Sequence, residues 1–269
     1  MLTRILTSAV GIVIFFAALF SPPPFFPIIV LLVTAVMLYE MYSVLKCGPA
    51  VNIAGAVSAL LLAAGVVTSG GKYLAEAIVV AFMIYLITAV FMHTKKKANE
   101  VLSHGFVTVF LSIFMSYIIK ASLEFGALGA LWIFVVAWIT DSGAYFVGVT
   151  MGKHKIAPHI SPKKSVEGSI GGVISTVVCC AVYYLIIVKV GSKFDVRVLL
   201  SFMAMGLVGS VISQLGDFVA SSIKRDSGIK DYGSILPGHG GLMDRFDSVV
   251  FIAPFVYYVM AVINHFLPL

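Results

Sequence analysis

The stretch Tyr73–His93 reads YLAEAIVVAFMIYLITAVFMH, and Glu76 is the one carboxylate in it. A helix needs about 20 mainly apolar residues to cross a bilayer, so this stretch predicts a membrane span. The whole chain has the same character, because 60% of its 269 residues are hydrophobic and 11% are charged. A soluble protein is usually about 25% charged. We therefore predict an all-α, polytopic integral membrane protein.

The same length criterion predicts about nine transmembrane helices. They lie at residues 4–20, 25–45, 51–69, 73–93, 101–121, 127–150, 168–190, 196–222 and 246–267. We divide the chain into an N-terminal region, 1–126, with spans one to five, and a catalytic region, 127–269, with spans six to nine. The catalytic region contains the two longest polar connections, 151–167 and 223–245.

Lysine and arginine are distributed unequally between alternate connections. One set carries 13 of the 18 and the other carries 5. Because cytoplasmic loops are enriched in these residues, we predict a cytoplasmic N-terminus and an outside C-terminus. Both polar connections then face the cytoplasm from the inner membrane. No extended basic domain lies outside the spans, so we expect no nucleic-acid partner.

Isolated polar residues in apolar runs have more modest interpretations. Glu40 and Glu76 could line a polar cavity, but we favour hydrogen bonds between helices for them. The three cysteines form no C-x-x-C pair and no spacing with histidine that is typical of zinc sites. We therefore expect neither a disulfide framework nor a zinc centre.

The densest polar stretch begins inside span eight. Ser213, Asp217, Ser221 and Arg225 are spaced by four, which places them on one stripe of a helix. A carboxylate in an apolar helix is costly unless it faces a wet cavity, a partner or a metal. Asp244 and Asp247 lie three residues apart where span nine begins, so they also share a helix side.

Carboxylates at a polar membrane edge suit Mg²⁺, and nearby lysine and arginine suit phosphate oxygens. Together they predict a phosphoryl-transfer site, where positioning and charge neutralisation dominate. Gly240 and Gly241 would let backbone N–H groups approach phosphates, although a tight turn is an equally good interpretation.

A second polar group precedes span seven. Asp141 lies inside span six, and the following connection carries Ser161, Lys163 and Lys164. This connection could hold a triphosphate or a lipid phosphate. Its alternative interpretation is a positively charged anchor on the cytoplasmic side.

One long pattern resembles a known family. The run from Ser221 to Asp247 contains S-x-x-K-R, K-D-x-G, L-P-x-H-G-G and D-R-x-D in series. It is similar to the signature of the CDP-diacylglycerol synthases, or phosphatidate cytidylyltransferases. The upstream Gly216-Asp217 pair and the stretch 161–168 are similar too. The resemblance covers residues 132–250, and the first 130 residues match only in being hydrophobic.

The resemblance implies that CTP and phosphatidate react to give CDP-diacylglycerol and pyrophosphate. It implies Mg²⁺, with K⁺ as a companion metal, on Asp217 and Asp244, with Asp141 and Asp247 as weaker candidates. It also implies a homodimer in contact with membrane lipid. We assign phosphate or substrate binding to a set of polar residues: Ser161, Lys163, Lys164, Ser221, Lys224, Arg225, Lys230, His239, Gly240, Gly241 and Arg245. Of these, Lys224 and Arg225 join Asp217, Asp244 and Asp141 as candidate catalytic residues.

Two other functions compete with this one. A CTP-dependent polyprenol or phytol kinase would use the same donor and metal. An ion-coupled secondary transporter could use the intramembrane aspartates, but the first half lacks the matching polar segment that an inverted repeat would show.

Overall fold

The computed structural model describes residues 2–22, 24–67, 72–190 and 193–266. These residues form eight α-helices and one β-hairpin. The elements are α1 (Leu2–Leu19), α2 (Phe25–Leu45), α3 (Pro49–Val67), α4 (Leu74–Met92), α5 (Ala98–Met151), β1 (Lys155–Ala157), β2 (Ser161–Ser165), α6 (Val166–Val190), α7 (Val196–Asp226) and α8 (Met243–Phe266). The predicted all-α class is confirmed, and the short hairpin is an addition to it.

Seven of the described helices are long and apolar enough to cross a membrane. Their many exposed apolar side chains would be unfavourable in water and suit a lipid surface. The protein is therefore an integral membrane protein. The predicted ends of the third and ninth spans, at 68–69 and 267, lie outside the described residues.

Helix α5 contains 54 residues and is broken once, at Gly126. A straight helix of that length would extend about 80 Å, whereas a bilayer core is about 30 Å thick. Gly126 has φ 70° and ψ −171°, a conformation that side chains with a Cβ rarely adopt. The break leaves two helical parts, each long enough to cross a membrane, where the sequence predicted spans 101–121 and 127–150.

The chain divides into two compact units. The first contains Met1–Leu123 and Asp231–Arg245, and the second contains Glu124–Lys230 and Phe246–Leu269. Residues 231–245, which the sequence analysis placed with the C-terminal region, thus belong to the first unit. The polar segment between α7 and α8 returns to the N-terminal helices.

A buried polar network joins helices of the first unit. The Tyr85 hydroxyl is 2.7 Å from Thr108 Oγ1 and 2.8 Å from His104 Nδ1. Tyr42 also reaches Thr108, at 2.8 Å, and His104 Nε2 lies 3.1 Å from Asn52 Oδ1. Each of these polar groups thus has a partner within the apolar interior, as burial requires.

Small residues bring the helices of the second unit close together. A Cβ added at Gly206 of α7 would lie 2.7 Å from Val177 Cα of α6. A Cβ added at Gly172 of α6 would lie 2.7 Å from the Thr140 carbonyl of α5. The backbones of α5, α6 and α7 therefore approach closely, as is common in membrane helix packing.

Candidate active site

The predicted polar stripe lies on α7 and holds Asp217 in the second unit. Helix α7 continues to Asp226, four residues beyond the predicted end of its span, so Ser221 and Arg225 are helical. The Ser221 hydroxyl donates to Asp217 Oδ1 at 3.2 Å, across one helical turn. Ser213 is fully buried, and its hydroxyl has no hydrogen-bond partner among the described residues. The stripe therefore combines a bound carboxylate with an unsatisfied hydroxyl.

The β-hairpin supplies the cation that neutralises Asp217. Lys164, on β2, forms an ion pair with Asp217 Oδ2, and both side chains are about one quarter exposed. The Lys164 ammonium also lies 4.4 Å from the centre of the Phe218 ring. At the end of α7, Arg225 Nε donates to the Ile160 carbonyl at 3.4 Å. The hairpin thus contacts the stripe at two points.

Glu167 fastens the segment between α5 and the hairpin. Its carboxylate accepts hydrogen bonds from the backbone N–H groups of Lys153, at 3.0 Å, and His154, at 3.2 Å. The His154 ring nitrogen Nδ1 lies 2.6 Å from Glu167 Oε1. Two residues earlier, Ser165 caps α6 by accepting from Gly168 N at 3.2 Å. These contacts fix both ends of the lysine-bearing hairpin.

Asp247, in the first turns of α8, faces the same charged neighbourhood in the second unit. The Asp247 carboxylate interacts electrostatically with three charged side chains: Asp217 and Asp141, which are negative, and Lys224, which is positive. Its Oδ1 accepts from the Ser248 backbone N–H at 2.8 Å. Two of the four predicted metal ligands, with Asp141 nearby, therefore belong to one electrostatic cluster.

Asp244 has a different environment, in the first unit. Its side chain is buried, and Oδ2 accepts from the backbone N–H groups of Tyr232, at 2.8 Å, and Gly241, at 3.0 Å. Gly240 has φ 82°, and a Cβ there would lie 2.9 Å from Asp244 Oδ2. This carboxylate holds together the two ends of the loop 231–241. The prediction that it binds a metal stays a prediction.

Glu40, of α2, binds the two residues that follow this loop. Oε1 accepts from Leu242 N at 3.0 Å and Oε2 from Met243 N at 2.8 Å. The predicted hydrogen bond between helices is confirmed for Glu40, since this residue of α2 accepts from the backbone of Met243, the first residue of α8. A separation of 202 residues leaves no local sequence signal for this contact.

The other predicted substrate-binding residues occupy less distinctive positions. Ser161 and Lys163 lie on β2, where Lys163 is exposed and Ser161 is half-buried. Lys230 and Arg245 are exposed, and His239 is half-buried, with its backbone N–H donating to the Leu236 carbonyl at 2.9 Å. Their roles toward a substrate stay predictions.

The carboxylates of the second unit fit a metal that would also be bound by substrate phosphates and water. No group of three or more histidine, cysteine, aspartate or glutamate side chains within the described residues is arranged to hold a metal ion. Mg²⁺ commonly uses one or two carboxylates together with substrate phosphates and water. Asp217 and Asp247 provide such carboxylates, and the unsatisfied hydroxyl of Ser213 lies one turn from Asp217.

Comparison with known proteins identifies relatives along almost the whole chain. The model of the cytidylyltransferase family matches residues 2–263. A phosphatidate cytidylyltransferase of Bacillus subtilis is 32% identical over 273 residues, covering 97% of this chain and 98% of the relative. One of Thermotoga maritima is 34% identical, covering 62% of this chain and 61% of its own. One of Staphylococcus haemolyticus is 46% identical, covering 46% of this chain and 45% of its own. The chain belongs to the cytidylyltransferase family.

Proposed function

We propose that this protein transfers a cytidylyl group from CTP to phosphatidate, giving CDP-diacylglycerol and pyrophosphate for phospholipid synthesis. The observation that carries the proposal is the ion pair between Lys164 of the β-hairpin and Asp217 of α7. It occurs in a chain that matches the cytidylyltransferase family model over residues 2–263. Such a paired cation and anion can bind phosphates and their metal without a large change in local charge.

The chain's own groups position and neutralise the reacting phosphates. An oxygen of the phosphatidate phosphate attacks the α-phosphorus of CTP, and the bond to the β-phosphate breaks to release pyrophosphate. The attacking oxygen is already anionic, so no strong general base is needed. Lys163, Lys164, Lys224 and Arg225 supply positive charge toward the phosphates, and arginine can form bidentate contacts. Ser221 orients Asp217 through its hydrogen bond.

We assign Mg²⁺ to Asp217 and Asp247, with Asp141 adding negative charge nearby. When bound, the ion would neutralise charge on the transferring phosphoryl group. Lys164 pairs with Asp217, so substrate phosphates would offer the ammonium a second partner at the place where Asp217 would hold the metal. K⁺ is proposed as a companion metal, which titration of activity with KCl at fixed Mg²⁺ tests.

We propose nine crossings, with the N-terminus in the cytoplasm and the C-terminus outside. Seven described helices meet the length criterion, the break at Gly126 makes α5 count twice, and α1 adds 18 helical residues. The active site then lies at the cytoplasmic face of the inner membrane. CTP is available on that side. We also propose a homodimer, which light scattering of the purified protein in detergent tests.

The decisive experiment supplies purified protein with Mg²⁺, CTP and phosphatidate. We expect pyrophosphate release in equal amount to CDP-diacylglycerol, and neither product from the Asp217→Asn variant. Matched reactions contain a polyprenol in place of phosphatidate. Turnover with the polyprenol alone, or none with either acceptor, would overturn the proposal.

A further inference from the structure

The segment 231–243, which joins the loop 231–241 to the start of α8, is held by two buried carboxylates, and only one of them lies in the polar signature. Asp244 binds the N–H groups of Tyr232 and Gly241, and Glu40 binds those of Leu242 and Met243. Four backbone donors from one short segment are thereby satisfied by two side chains. Glu40 comes from α2, in a part of the chain to which the resemblance assigns no function.

Glu40 stands at the start of α8. Met243 is the first residue of that helix, and the first N–H groups of a helix have no partner within it. These groups carry the positive end of the helix dipole, so a carboxylate there is stabilised by charge as well as by hydrogen bonds. Glu40 is 2% exposed, and no lysine, arginine or histidine in the described part of the chain forms an ion pair with it. The N–H groups of Leu242 and Met243 are therefore its counter-charge.

Two glycines make room for the carboxylate. A Cβ at Gly233 would overlap Glu40 Oε1, and a Cβ at Gly241 would lie 2.5 Å from both carboxylate oxygens. Neither glycine has a positive φ, so backbone conformation does not require glycine at these positions. The close approach of the Glu40 carboxylate does. The loop is thus shaped around Glu40 from both sides.

We propose that Glu40 is a positioning residue for nucleotidyl transfer, holding the loop 231–241 and the start of α8 so that Asp244, His239 and Gly240 are presented in a fixed arrangement. This inference rests on the proposed function for its catalytic consequence. Its physical content, that Glu40 fixes the loop, can be tested without any substrate.

The sharpest variant is Glu40→Gln. It preserves size but leaves one acceptor where two are needed, and turns an amide N–H₂ toward a backbone N–H. We expect faster hydrogen exchange at the amides of residues 232 and 241–243, with exchange in α3 and α4 unchanged. We expect kcat/KM for CTP to fall roughly 10- to 100-fold, as for other residues that orient a catalytic group. Glu76→Gln, at an exposed site on α4, is the matched control and should behave as the unmodified protein.

A rescue experiment separates positioning from general stability. Gly233→Ala alone should disturb the loop, because its methyl group overlaps the carboxylate. Shortening the side chain in the double variant Gly233→Ala/Glu40→Asp makes space, so we expect it to be more active than Gly233→Ala. All rates are normalised to monodisperse folded protein. If Glu40→Gln does not fold, Glu40→Asp alone replaces it, with a smaller loss expected.

The outcomes are distinct. Unchanged amide exchange in the Glu40 variants overturns the inference, whatever the enzymatic result. Faster amide exchange with full activity also overturns it, because loosening the loop would then have no effect on catalysis. If the unmodified protein does not convert CTP and phosphatidate, the proposed function fails, and the exchange data still decide whether Glu40 fixes the loop.

Discussion

Asp217 accepts a hydrogen bond from one neighbour and forms an ion pair with another, and a neutral side chain could not form the ion pair. It accepts from Ser221 on its own helix and forms an ion pair with Lys164 of the hairpin. Asp217→Asn keeps the size but removes the charge that pairs with Lys164 and that the proposed Mg²⁺ site would use. We expect CDP-diacylglycerol synthesis to fall at least about 100-fold, measured with purified protein at saturating CTP.

The control for this substitution lies at the N-terminal end of the same helix. Asp195 precedes α7, and its side chain accepts from Arg197 N at 2.8 Å as an N-cap. Asparagine caps helices about as well as aspartate, so Asp195→Asn should keep both fold and activity. Equal losses in the two variants would contradict a specific role for Asp217.

Asp244 allows the predicted metal binding to be separated from loop positioning. A single oxygen, Oδ2, accepts both backbone hydrogen bonds, and an asparagine carbonyl could take its place. We expect Asp244→Asn to lose activity while the amides of Tyr232 and Gly241 stay protected from exchange. Asp244→Ala should lose both. Protection lost in both variants would show that Asp244 acts only on structure.

Spacing along a single helix was the most reliable guide at this scale. The interval of four residues predicted that Ser221 and Asp217 share a stripe, and their hydrogen bond follows from that register. Glu40 could not be assigned in the same way, because its partners are backbone groups 202 and 203 residues away. Backbone donors carry no side-chain signal in a sequence.

Among the elements, the β-hairpin is the one that the sequence pattern did not predict. β1 has three residues, and β2 reads SPKKS, which lacks the β-branched and aromatic residues typical of strands. A two-stranded hairpin is at best marginally stable alone. Here Glu167, Asp217 and Arg225 provide the contacts that hold it. Long-range polar contacts, rather than local propensity, explain its formation.

Close packing of α6 on α7 depends on a glycine. A methyl group at Gly206 would lie 2.7 Å from Val177 Cα, which is backbone and cannot rotate away. We expect Gly206→Ala to lower the free energy of unfolding by about 1–3 kcal/mol, because the helices must separate. The midpoint of thermal unfolding in detergent measures the change.

Gly11→Ala provides the comparison for this packing test. A Cβ there has no atom within 4 Å, so the substitution should be neutral or stabilising through helix propensity alone. A Gly206→Ala variant as stable as Gly11→Ala would mean that the helices yield without cost.

For the whole molecule, hydropathy predicted the class and most of the spans, because a bilayer imposes a length on every crossing. The return of residues 231–245 to the first unit could not be predicted in that way. That segment is polar, and its attachment depends on buried carboxylates rather than on apolar length.

The proposed orientation predicts which loops face outward. In a cysteine-free background, we expect Lys193→Cys to react with an impermeant maleimide added to intact cells. Lys95→Cys should react only after the membrane is opened. The reverse pattern would invert the topology, and equal labelling of both positions would contradict a single orientation.

The discontinuity of the first unit has a consequence for biosynthesis. The ribosome delivers residues 1–123 long before residues 231–245, so Glu40 enters the membrane without the N–H groups that later bind it. The first unit therefore lacks its segment 231–245 until nearly the entire chain has been translated. A polypeptide that ends at residue 230 would keep an unsatisfied carboxylate, and in pulse-chase experiments we expect it to be degraded faster than the full chain.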